Sequence, residues 1–178
     1  MPSGAGRQTK KDLMLCELSE NFFPYKIGKH QHTPEINRIL SEMSAQTCQV
    51  LLTTYLLPIV RGLSMTIYAD ASSHLTSDQV IQEHINAAFN KYYSRYPFVR
   101  YSKINKNNTV HQKHLLSIKN VIGTPNVHVG CFVKNKKIVL FACLDNLLKG
   151  AASQAIENVN ALYDLPLSTG LILKGITS

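Results

Sequence analysis

The chain is 178 residues long, 44% hydrophobic and 17% charged, with 19 Lys and Arg against 11 Asp and Glu for a formal net charge of +8. That length suits one domain with a substantial core, and the apolar content excludes a disordered chain. No apolar run approaches the roughly 18 residues needed to cross a bilayer. The glycine-rich start, Met1 to Arg7, lacks a signal-peptide core, and Cys16, Cys48, Cys131 and Cys143 lack metal-ligand or disulfide-framework spacing. A reduced, cytoplasmic protein without a membrane partner is expected. The excess charge gathers between Lys103 and Lys119 and at Lys134-Asn135-Lys136-Lys137. Neither aromatic stacking residues nor a groove-reading helix accompanies it, so nucleic acid is not the expected partner.

In chain order, Leu13 to Phe23 reads as a strand. Thr33-Pro34-Glu35 signals a helix start, with Thr as N-cap, Pro at the first helical position and an acid in the first turn. Ile36, Ile39, Leu40 and Met43 follow at helical spacing and predict one buried face. Val50 to Leu57 reads as a buried strand, and Leu63 to Ala69 as the next one, after the Arg61-Gly62 turn. A second helix starts at Thr76 or Ser77, buries Val80, Ile81, His84, Ile85, Ala88, Phe89 and Tyr92, and stops before Pro97. Phe98 to Tyr101 is a short strand. Val127 to Leu144 is a hairpin turning at Lys134 to Lys136, and its apolar second arm, Ile138 to Cys143, is expected in the sheet centre. A last helix runs from Leu147 or Gly150 to Tyr163. The result is an α+β class, a mixed, largely antiparallel sheet with helices on one face, and a second sheet on the other through dimerisation.

Chemistry has few places to sit. His30 and His32 lie at i and i+2 before a helix start, where a neutral imidazole suits acid–base work. A surface turn accounts for them equally well, and no further ligand lies at a recognised metal spacing. Ser3-Gly4-Ala5-Gly6-Arg7 is a small-residue loop able to approach a phosphate or nicotinamide. Asp145-Asn146 ends a buried strand and opens a helix; this is a common ligand position, or a simple cap. Cys16, Cys131 and Cys143 lie in apolar strand patterns and Cys48 at a helix end, so the cysteines read as packing residues or surface filler.

These motifs resemble the C-terminal half of the N-acetyl-gamma-glutamyl-phosphate reductase family. The matching blocks are Ser3 to Arg7, Pro24 to Ile36 with His30-Gln31-His32-Thr33-Pro34-Glu35, Leu57 to Gly62, Phe98-Val99-Arg100, Lys119 to Gly123 and Asp145 to Ala155. They stand in family order along nearly the whole chain. The resemblance implies a single catalytic and dimerisation domain over 1–178, glyceraldehyde-3-phosphate-dehydrogenase-like in fold, with 145–165 the helix that docks on a Rossmann cofactor domain. It implies an oxidoreductase of arginine biosynthesis that reduces an acyl phosphate to a semialdehyde with NADP as cofactor, through a thioester on a cysteine. By similarity His32 is the general base, and His30 and Arg61 contact substrate. Ser3, Gly4 and Asn146 line the cofactor.

The chain departs from the family pattern in three ways. It carries neither the dinucleotide-binding glycine loop nor the Gly-Cys-Tyr-type nucleophile motif, it has Tyr55 where the family has His, and its Lys103–Lys119 loop is long. The expectation is therefore a chain inactive alone, a homo-oligomer or the partner of a separate Rossmann-domain chain. A split-reductase subunit and a basic, non-enzymatic binding or oligomerisation module remain open.

Overall fold

The computed structural model describes residues 11, 14–104 and 115–171. Ser3, Gly4 and most of the Lys103–Lys119 stretch lie outside the described residues. The chain forms two compact units, Met1–Val60 and Arg61–Ser178.

The first unit contains α1 (Leu15–Leu18), β1 (Phe23–Tyr25), α2 (His32–Ser44) and β2 (Thr54–Leu56), with β1 and β2 paired antiparallel. Where Leu13 to Phe23 reads as a strand, the chain makes one helical turn and enters a strand only at Phe23. The N–H groups of Glu17 and Leu18 both bond to the Met14 carbonyl at 3.1 Å, and Leu18 is 2% exposed. Local bonds plus one buried leucine outcompete an extended segment with no ladder partner. Helix α2 begins at His32, one residue before the expected Thr33 cap. Its apolar spacing is as expected but its burial is not: no α2 residue is buried, and Met43 is 81% exposed. The segment after α2 is held by polar bonds rather than burial. Cys48 N–H donates to Ser41 Oγ and Val50 N–H to Asn37 Oδ1, each at 2.8 Å. Of the strand expected over Val50 to Leu57, only Thr54–Leu56 forms, and Leu51 stands in solvent.

The second unit holds β3 (Leu63–Asp70), α3 (Asp78–Tyr93), β4 (Val99–Lys103), β5 (Val127–Lys134), β6 (Lys137–Leu144) and α4 (Ser153–Leu162). The sheet order is β3-β6-β5-β4, antiparallel except for the β4–β5 pair, so the mixed, largely antiparallel sheet is as expected. The hairpin turns on Asn135 and Lys136, both left-handed (φ 52° and 60°), the geometry that matches strand twist in a two-residue loop. Asp78 accepts both their N–H groups at 2.9 and 2.7 Å, tying the hairpin tip to the start of α3. Ser77 caps α3 by accepting the Val80 N–H.

The inner face of α3 is rotated from the expected stripe. Ile81 and Gln82 are buried, Ile85, Asn86 and Phe89 are half-buried, and His84, Ala88 and Tyr92 face water. Polar residues belong to this face because they are satisfied on it: Tyr101 on β4 donates to Asn86 Oδ1 at 2.6 Å, and Gln82 donates to Tyr101 at 3.2 Å. Phe89 stacks on the Tyr101 ring with centroids 4.1 Å apart. On the opposite sheet face, Gly130 lets Ile104 and Leu116 pack directly on the backbone. The outer strand β3 is exposed along its whole length, its apolar Leu63, Met65 and Ile67 included. Among the described residues no helix is long and apolar enough to cross a membrane.

Candidate active site

In the first unit, a turn through Lys26 (φ 48°) and Gly28 (φ 65°) brings the chain from β1 into α2 and folds His30 back onto Tyr25. His30 is 9% exposed, and its ring meets Tyr25 edge-on with centroids 5.8 Å apart. It lies 5.0 Å from the His32 ring at an interplanar angle of 63°. His32 is exposed, on the first position of α2. The two imidazoles therefore differ in kind. Burial lowers the His30 value from its ordinary level, and the nearby His32 and Lys26 charges lower it further. Gln31 between them has helical backbone angles, so the pair is not the extended i, i+2 arrangement read from the sequence. Tyr55, the departure from the family pattern, stacks on Phe22 at 4.8 Å.

In the second unit, three blocks remote in sequence meet at one point. Asp145, fully buried at the end of β6, accepts the N–H of Leu147 and Leu148 through Oδ1 at 2.9 and 3.0 Å, and that of Gly123 through Oδ2 at 2.7 Å. Arg61 Nε stands 2.7 Å from the same Oδ2, an ion-pair contact whose angle falls short of a hydrogen bond. Beside it, Asn146 Oδ1 accepts the Gly62 N–H at 2.7 Å. Burial alone would raise the Asp145 carboxyl; the Gly123 N–H, the Arg61 guanidinium charge and the Leu148 and Leu147 N–H groups overcome it and hold the group below the ordinary carboxylate range.

The helix that follows is wound wide. Gly150 N–H bonds the Asp145 carbonyl and Ala152 N–H the Leu147 carbonyl, both five residues back, and Leu148–Ala152 is a π turn before α4. Lys149 in that turn is buried and donates to both Glu157 oxygens at 2.9 and 2.7 Å and to Tyr96 Oη at 3.1 Å.

Of the residues singled out from sequence, His30 and His32 are together in the first unit. Arg61 and Asn146 are together in the second, linked through Asp145 and Gly62. Ser3 and Gly4 lie outside the described residues. Sequence reasoning missed Asp145 as the organising group, although its place between a buried strand and a helix start was a usable signal. The Lys149–Glu157–Tyr96 cluster left none, because its members are separated by helix turns and by 53 residues.

Gly62 shows how closely these blocks approach. Its φ of +110° disfavours any side chain, and a Cβ there would collide with Ile118. Gly62→Ala is expected to cost about 1–3 kcal/mol in urea unfolding and to weaken the Gly62 N–H bond to Asn146 Oδ1.

The sequence model of the semialdehyde dehydrogenase dimerisation domain matches residues 2–146. The chain belongs to this family. Within the semialdehyde dehydrogenases, the chain is 37% identical over 171 residues to an N-acetyl-gamma-glutamyl-phosphate reductase of Staphylococcus aureus (strain USA300), covering 95% of this chain and 46% of that protein. It thus spans about half the length of the curated relatives it matches. Among solved structures, the fold is that of aspartate semialdehyde dehydrogenase II from Vibrio cholerae, with a TM-score of 0.59 at 15% identity over 83% of this chain and 42% of that one. A second structure of that enzyme, complexed with ASA, gives 0.57.

Proposed function

We propose that this chain is the catalytic and dimerisation portion of an NADP-dependent N-acetyl-gamma-glutamyl-phosphate reductase and works with a cofactor-binding portion that carries the nucleophilic cysteine. The observation that carries the reading is the identity to the reductase across 95% of the chain. The convergence of the Arg61-Gly62, Gly123 and Asp145-Asn146 blocks on one buried carboxylate supports it.

The two buried thiols are poor candidates for the nucleophile. Cys131 and Cys143 are buried, and burial raises both above the ordinary thiol value, the opposite of what an attacking thiolate needs. His32 is exposed on the first turn of α2, where it would take the proton from a thiol presented to it. Arg61 keeps about a third of its side chain in solvent, enough to meet a substrate anion while Nε holds Asp145.

The Asp145–Asn146 junction fits the amide end of a nicotinamide better than a phosphate. The first N–H groups of the following turn, Leu147 and Leu148, are already taken by Asp145. Asn146 is held at fixed orientation by its bond from Gly62. NADP, when bound, supplies or accepts the hydride; Asn146, with Ser3 and Gly4, would line it. The segment 145–165 is the docking element for the cofactor-binding portion, a reading supported by apolar Ile156, Val159 and Leu162, 40%, 51% and 77% exposed. The bare β3 strand is the matching surface for a second copy of the chain.

The test is reconstitution. The purified chain is mixed with the cofactor-binding portion of the Staphylococcus aureus reductase, and NADP reduction is followed with N-acetylglutamate semialdehyde and phosphate. The chain alone is expected to be silent and the mixture active, with His32→Asn lowering the mixture's kcat about 100-fold. Turnover by the chain alone at a normal reductase rate overturns the reading, as does a stable mixed complex that never reduces NADP.

A further inference from the structure

The start of α2 is satisfied in an unusual way. The first N–H groups of a helix have no intrahelical acceptor and need one from outside. Gln31, at the N-cap, is helical (φ −59°, ψ −26°) and makes no side-chain cap bond. Thr33, the residue type that caps well, lies inside the helix, and Pro34 has no N–H to satisfy. That leaves two donors in the first three positions, and His30 takes both. Its carbonyl accepts the Thr33 N–H at 3.0 Å, and its ring Nδ1 faces the His32 N–H at 3.4 Å.

We infer that His30 is a positioning residue rather than a substrate contact: its neutral ring caps the first turn of α2 through Nδ1 and fixes the backbone and ring of His32, the base. The inference rests on the reading of His32 as that base. An Nδ1 that accepts carries no proton, so His30 is the Nε2–H tautomer. The surroundings favour this state. The ring is buried against Tyr25 of β1, and the charged groups acting on it are Lys26 in the turn and His32 on α2, each opposing a second positive charge. At 9% exposure the residue as a whole also has little surface to offer a ligand arriving from solvent. The folded value lies below the ordinary 6.5. Acidification therefore protonates the unfolded chain first, and the cap's contribution falls as pH drops below about 6.5.

The test uses the purified chain with ¹⁵N-labelled histidine. At pH 7, His30 is expected to show an unprotonated Nδ1 and a protonated Nε2; the opposite tautomer or an imidazolium overturns the inference. His30→Asn puts a carboxamide oxygen near the place of Nδ1, and His30→Phe keeps a ring without an acceptor. Exchange of the His32 amide is expected to rise about fivefold in the Phe variant and to stay near wild type in the Asn variant. Equal exchange in all three overturns the cap. In the reconstituted enzyme, His30→Phe should lower kcat with KM unchanged, whereas a raised KM at unchanged kcat would make His30 a substrate contact. If His32→Asn leaves turnover intact, the base reading fails while the tautomer and exchange results still decide the cap.

Discussion

Asp145→Ala is expected to destabilise the Arg61–Ser178 unit by about 3–5 kcal/mol in urea unfolding, the range for breaking a buried ion pair from one side. The side chain is fully buried, and its removal leaves the N–H groups of Gly123, Leu147 and Leu148 without their acceptor and the Arg61 guanidinium without its counter-charge. Asp145→Asn keeps the shape but must turn an NH₂ toward one set of N–H donors, at about 1–3 kcal/mol. The pH dependence follows from the depressed carboxyl. A carboxylate lower in the folded state stabilises at pH values above its unfolded value of about 3.9 and loses that contribution as pH falls through the folded one. The acid limb of stability against pH should therefore flatten in Asp145→Ala. A variant that loses less than about 1 kcal/mol and keeps the wild-type acid limb would show that the carboxylate does not organise the junction.

The second large effect is expected at Lys149. Its side chain is 8% exposed and that of Glu157 is 1% exposed, and the ammonium also lies 4.8 Å from the Tyr96 ring centroid and 5.6 Å from that of Phe98. Burial and the hydrogen bond to Glu157 hold the Tyr96 hydroxyl protonated far above its ordinary range. Lys149→Met leaves a buried carboxylate with only that hydroxyl, and should cost about 3–5 kcal/mol. The double variant Lys149→Met with Glu157→Leu removes both charges and should recover most of the loss, because two well-paired buried charges gain little over apolar replacements of similar size. A single variant as mild as the double one in thermal or urea unfolding would rule out a desolvated charge pair. The cluster ties the π turn to Tyr96 before β4, so the single variant should also loosen the Asn146 segment, read as faster exchange of the Gly62 amide.

Much of the second unit is legible in the sequence because its signals are local. Ser77 caps α3, Pro97 ends the segment after it, Asn135 and Lys136 take the left-handed angles of a tight hairpin, and continuous apolar residues put β6 inside the sheet. The same local rules misplace the first unit. Ile36, Ile39, Leu40 and Met43 have helical spacing, but periodicity says only which face of a helix is apolar, not whether anything covers it. Gln82 and Asn86 err in the other direction: polar residues are assigned to water by composition, while Tyr101, fifteen and nineteen residues away, makes a buried position acceptable.

The sequence by itself determined the α+β class, the mixed sheet, the hairpin and the motif blocks that place the chain among the semialdehyde dehydrogenases, since each depends on short-range spacing and residue type. Only the tertiary structure decided which blocks share a site. Arg61, Gly62, Gly123 and Asn146 meet because a single buried carboxylate, unable to stand unpaired in low dielectric, gathers donors from three parts of the chain beside it. It also separated two histidines that look alike in sequence, burying the first as a neutral acceptor and leaving the second in solvent. That difference follows from where the turn after β1 folds the ring, against Tyr25 or into water.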